Sequence, residues 1–169
     1  MTDRTIECSP QLYARIGGAL YLIIIAIGLV GEVFVRDQII VSGDRTATAK
    51  NLIASHSLWR FHIAAELLLL ICAVVLLMIL FVLLKPVSRE LILLAAFFNL
   101  VSIGLGAATA MYLVVALFPV GNTACLKAFS PEQLYAMASP ALKSHGYGFG
   151  VSLLFFGCFC VVIGRVVFT

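Results

Sequence analysis

The chain has 169 residues, of which 63% are hydrophobic and only 11% charged, with a mean hydropathy of +1.14. Soluble domains carry about a quarter charged residues to cover their surface, so this composition excludes a water-soluble fold and calls for lipid as the outer solvent. The formal net charge of +3 is scattered with no basic run, which excludes a nucleic-acid surface, and the length leaves room for one domain, residues 1–169.

Five cysteines, Cys8, Cys72, Cys125, Cys158 and Cys160, form no CxxC pair, and three of them sit in apolar runs. That pattern fits small buried hydrophobes and argues against a disulfide framework or a thiolate metal site. The first apolar run is too long for a secretory h-region and has no small-residue cleavage site before Glu32 and Arg36, so it is expected to persist as a span.

In chain order, the first apolar segment runs from about Leu12 to Val35, with no charge between Arg15 and Glu32. A long connection follows, in which Asp44 is placed as an N-cap and Arg45 to Ser55, with Leu52 and Ile53, suits a short interfacial helix. The second segment, Phe61–Leu84, is interrupted only by His62 and Glu66, and the third, Leu91–Val120, holds no charge. Between them lies the tight turn Lys85-Pro86-Val87-Ser88-Arg89-Glu90, whose charges hold it among the headgroups. Ser130-Pro131-Glu132-Gln133 then carries a capping-box pattern with proline at the first helical position. It opens a second short helix, expected from Pro131 to about Lys143 with a break near Pro140. The fourth segment is Tyr147–Phe168.

Each segment meets the roughly 20 residues needed to cross about 30 Å of hydrocarbon, and none alternates polar with apolar as barrel strands do. The expected fold is an all-α integral membrane bundle of four transmembrane helices, with two short helices in the long loops on one membrane face. Five basic residues fall on the short-turn side and six on the long-loop side, but their density favours the short turn, and with it both termini, as cytoplasmic. Ser102, Gly106 and Ala110 recur every four residues, with Gly104 and Ala108 beside them, and predict a close-packing face. Gly17, Gly18, Gly146, Gly148 and Gly150 suit the same role.

Ionisable groups inside a span are costly and mark candidate sites. Here they are Glu32, His62 and Glu66, the last two sharing one helix face, with Glu66 about 10 Å below the interfacial Trp59 by helical rise. Arg36, Arg60, His56, His145, Tyr147 and Tyr112 are expected at the same end of the bundle, so a polar cluster of Glu32, Arg36, Arg60, His62, Glu66, His145 and Tyr147 is expected beneath the two caps. The other half is almost wholly hydrocarbon. Three uses compete: ion pairs that set helix register, a pocket for lipid or a small apolar ligand, and a metal or catalytic site drawing on His56, His62, His145 and Glu66. No GxSxG, Walker A, HExxH or dinucleotide-binding pattern is present, so no cofactor and no catalytic residue is assigned.

Several ordered motifs stand out: Ala14-Arg15-Ile16-Gly17-Gly18-Ala19-Leu20-Tyr21-Leu22, Gly31-Glu32-Val33-Phe34-Val35-Arg36, Gly43-Asp44, Asn51-Leu52-Ile53, Leu83-Leu84-Lys85-Pro86-Val87 and Leu94-Ala95-Ala96-Phe97-Phe98-Asn99-Leu100-Val101. With these the chain resembles, from about Tyr13 onward, the bacterial multi-pass membrane proteins grouped as domain of unknown function, family 4386. The resemblance implies a helical membrane fold, brings no established activity, and implies further spans beyond the point reached at Thr169. The functional expectation is a small membrane protein, either an accessory or structural subunit or a binder of lipid or a small apolar ligand near the long-loop face. The alternative is a metal-dependent or proton-handling membrane enzyme using His62 and Glu66. Expected partners are the lipid bilayer and other copies or subunits of a membrane complex.

Overall fold

The computed structural model describes residues 10–31, 34, 37–41, 45–117 and 129–168. Among them the chain is helical, in the order α1 (Pro10–Leu29), α2 (Asp37–Ile39), α3 (Arg45–Ala54), α4 (His56–Leu84), α5 (Arg89–Val115) and α6 (Pro131–Val167). Four of these helices, α1, α4, α5 and α6 from Ala136 onward, are long and apolar enough to cross a membrane. In hydrocarbon a backbone must satisfy its own hydrogen bonds, which is why uninterrupted apolar runs resolve into helices.

The termini of the spans follow local chemistry. The Ser88 side chain accepts a hydrogen bond from the Leu91 backbone N–H, capping α5 just after the tight turn. Lys85, Pro86 and Arg89 are exposed there. Ser130 and Gln133 form the expected capping box, the Ser130 hydroxyl accepting from the Gln133 N–H and the Gln133 side chain accepting from the Ser130 N–H. The expected cap at Asp44 lies outside the described residues.

Pro140 corrects one expectation. No break occurs there: α6 runs for 37 residues straight through it. Proline removes a single N–H, and the backbone on either side stays in helical register, as prolines in membrane helices commonly allow. The second cap is therefore the first part of the fourth span's own helix. At about 55 Å this helix far exceeds the hydrocarbon thickness, so its first turns stand clear of the core. The first cap is a separate helix, α3, as expected. It packs against α6, and the single turn α2 packs against α3. Thr48 ties the two together: its hydroxyl donates to the Val41 carbonyl at 3.2 Å, and its Oγ1 accepts from the Val41 N–H at 2.9 Å.

The spans pair in sequence. α1 packs on α4, α4 on α5, and α5 most extensively on α6. The predicted small-residue face is the α5 seam: Asn99, Ser102, Gly106, Thr109 and Ala110 are all buried, while Gly104 and Ala108 face outward. Gly17 gives α1 its approach to α4, since a Cβ there would lie 3.0 Å from Ile79 Cγ2.

Two apolar clusters hold the ends of the bundle. At the short-turn end, Leu77, Ile92, Ala95 and Phe159 form a buried core, with Phe81 and Phe156 packed against it. Under the caps, Ile39, Leu52, Trp59, Ile63 and Leu113 join α2, α3, α4 and α5. Trp59 is its centre: it is 1% exposed, and its indole N–H donates to the Leu113 carbonyl at 3.2 Å. Burial of a ring this large contributes most when its one polar atom finds an acceptor, as here.

Candidate functional site

Between the two apolar clusters the four spans do not close completely. They enclose a cavity of about 260 Å³. Most of its wall is Leu, Ile and Phe, but it also meets Tyr21 of α1, His62 and Glu66 of α4, Asn99 and Ser102 of α5 and Ser152 of α6. Polar side chains converging in an apolar enclosure are the usual composition of a small-molecule site.

Each polar group is positioned by its helix. His62 and Glu66 are one turn apart and face inward together, as their spacing predicts. His62 is 3% exposed, and its ring lies 5.5 Å from that of Trp59, tilted by 50°. The Cε1–Nδ1 edge of its ring meets Gly31, two residues past the end of α1: a Cβ at that position would lie 3.1 Å from both atoms. Beyond that contact a second cavity, of about 370 Å³, lies between α1 and α4 among Ala26, Ile27, Phe61, Ala64 and Leu68. His62 borders both.

Ser102 and Ser152 form the polar floor between α5 and α6. The Ser102 hydroxyl donates to the Ser152 carbonyl at 2.9 Å, and the Ser152 hydroxyl donates to the Ser102 carbonyl at 2.9 Å. The two Oγ atoms are 3.1 Å apart. Gly106, one turn along, would place a Cβ 3.1 Å from Leu70 Cδ2 and 3.8 Å from Ser152 Oγ, so its missing side chain keeps this level of the bundle open.

The cavity is not sealed from the surroundings of the bundle: Tyr21 of α1 and Leu153 of α6 both line it and are 45% and 49% exposed.

The sequence-predicted cluster divides. His62 and Glu66 meet in the cavity, and His145 is buried at 4% exposure, its ring stacked at 6.1 Å on Phe149, which lines the cavity. Tyr147 is 77% exposed, so it points away from the bundle interior. Arg60 is exposed too, since six residues separate it from Glu66 and turn it roughly 120° around the helix. His56 is half-buried at the start of α4, and Tyr112 is exposed on α5. Glu32 and Arg36 lie outside the described residues.

Among the described residues, no three of His, Cys, Asp or Glu gather closely enough to hold a metal ion. The candidate set His56, His62, His145 and Glu66 therefore does not assemble as a cation site.

Sequence reasoning singled out Asn99 and Ser102 only as cross-helix hydrogen-bonding residues. It missed Ser152, Tyr21 and the seat that Gly31 provides for His62. For Ser152 one signal was available: it follows Gly148 on the same helical face, and a small polar residue one turn beyond a close-packing glycine is well placed to bond a facing helix.

No curated protein and no solved structure matches the chain. The family model described as domain of unknown function (DUF4386) matches residues 16–169, nearly the whole length, with three spans entire and the first from Ile16 onward. The chain belongs to this family of domains of unknown function, DUF4386.

Proposed function

We propose that this protein is a cell-membrane binding protein that takes an amphiphilic molecule out of the bilayer into its internal cavity, with the molecule's polar group against His62, Glu66, Asn99 and the serine pair. The observation that carries the reading is the cavity itself: about 260 Å³ of space among four apolar spans yet bordered by six polar side chains, with two of its lining residues, Tyr21 and Leu153, about half exposed. A bundle built only for stability gains nothing from such a void, because unfilled space forfeits packing contacts. The exposure of Tyr21 and Leu153 on the outer surface of the spans supports entry by lateral diffusion in the lipid.

We place the Lys85–Glu90 turn, and with it both ends of the four-span bundle, on the cytoplasmic side. The exposed Lys85 and Arg89 in so short a connection support this orientation.

Mass spectrometry of organic extracts tests the binding reading. Wild-type protein and an Ala73→Phe variant, in which the new ring occupies the cavity beside Leu69 and Leu76, are purified in parallel from the same membranes. The expected result is an amphiphile enriched with wild type and absent from the variant. Equal extracts from two well-folded proteins would overturn the proposal.

A further inference from the structure

We infer that the cavity selects a ligand whose head group donates a hydrogen bond, a hydroxyl or an amine, over one that only accepts. This rests on the cavity-binding reading above and names the ligand class.

A serine hydroxyl has one proton and two lone pairs. In the floor of the cavity both protons are committed: Ser102 gives its proton to the Ser152 carbonyl and Ser152 gives its own to the Ser102 carbonyl, each at 2.9 Å. Both serines are buried, at 6% and 7% exposure, and both line the cavity. What they present to a ligand is therefore lone pairs on two oxygens 3.1 Å apart. Turning a hydroxyl toward the cavity to donate would break a bond to a carbonyl in a medium where water cannot replace it. At the serine pair a head group with its own proton docks without that loss, and one with only lone pairs meets lone pairs. Asn99, beside them, has both a carbonyl oxygen and an NH2, so it serves either class of head group and leaves the selection to the serine oxygens. The rest of the wall, including Leu76, Leu80 and Phe156, suits an aliphatic or aromatic tail.

The test uses full-length protein in lipid nanodiscs and a pair of probes with equal numbers of heavy atoms: tritiated nonanol, which donates, and methyl octyl ether, which does not. Saturable nonanol binding above that of empty discs is measured, then displaced by unlabelled nonanol or by the ether. Nonanol is expected to displace at about tenfold lower concentration than the ether, corresponding to ~1.4 kcal/mol. The Ser102→Ala/Ser152→Ala variant is expected to bring the two probes together, and Ser152→Thr, which keeps the hydroxyl, to preserve the preference. Equal displacement of nonanol by both probes from wild type overturns the selectivity while leaving cavity binding intact. A preference that survives in the double alanine variant overturns the assignment to the serines. Absence of saturable binding by either probe overturns the cavity reading itself, and the inference with it.

Discussion

Gly148 of α6 lies against the side chain of Thr109 of α5, so closely that a Cβ at position 148 would overlap Thr109 Cγ2. Thr109 cannot swing away freely, because its hydroxyl donates to the Gly106 carbonyl at 3.0 Å. The most extensive helix pair of the bundle thus depends on a missing side chain. Gly148→Ala is expected to destabilise the protein by about 1–3 kcal/mol, the usual cost of overpacking. Thr109→Ser removes the obstructing methyl and keeps the hydroxyl, so the double variant should recover most of the loss. Unfolding in mixed micelles, followed by circular dichroism, measures both. If the second substitution restores nothing, the contact is not what limits position 148.

Trp59 joins the caps to the spans, and its indole N–H is the partner of the Leu113 carbonyl. Trp59→Phe keeps an aromatic ring but strands a buried carbonyl near the end of α5. A loss of about 1–3 kcal/mol is expected from the unsatisfied group, with a further contribution from lost ring volume. Trypsin susceptibility at Lys50, an exposed residue of α3, should rise with it, since α3 packs partly through this cluster. Unchanged proteolysis would separate α3 from the Trp59 core.

The serine pair makes two reciprocal bonds across α5 and α6, but inter-helix hydrogen bonds in membranes contribute only about 0.6 kcal/mol on average. Ser102→Ala and Ser152→Ala are each expected to lower stability by about that amount to twice it. A double-mutant cycle should show clear coupling, because either substitution alone removes one donor and leaves the facing carbonyl without it. Purely additive losses would mean that the two hydroxyls act independently.

The proposed orientation is checked by chemistry at the membrane surface. On a cysteine-free background, Val87→Cys in the exposed turn should react with an impermeant maleimide only after the cell membrane is permeabilised. A cysteine at Lys50 of α3, on the opposite face, should react in intact cells. The reversed pattern would invert the topology.

Much of the architecture was legible before any coordinates. The four spans follow from runs of apolar residues whose length matches the bilayer, and the capping box at Ser130 and Gln133 follows from hydrogen-bonding groups three residues apart. The α5 face of Ser102, Gly106 and Ala110 was legible for the same reason: its period is the helix's own. Pro140 differs from the expectation because local propensity alone marks proline as a breaker, whereas it removes one N–H and α6, packed on α5 and α3, continues through it.

The candidate site was only half legible. Spacing put His62 and Glu66 on one face, but spacing says nothing of which neighbouring helix stands opposite. The same reasoning placed Tyr147 with them, and the fold turns that ring outward. Ser152, Tyr21 and Gly31 enter the site only because α6 and α1 are set around α4 and α5 in one particular rotation.

By itself, then, the sequence determined the solvent and the number of crossings, because hydropathy and helical period are properties of consecutive residues. The tertiary structure alone decided that the four spans leave a cavity between the two apolar clusters and that two serines 50 positions apart meet in its floor. Those relationships depend on the rotation and spacing of packed helices, set by small residues such as Gly31, Gly106 and Gly148 whose contribution is the space they leave.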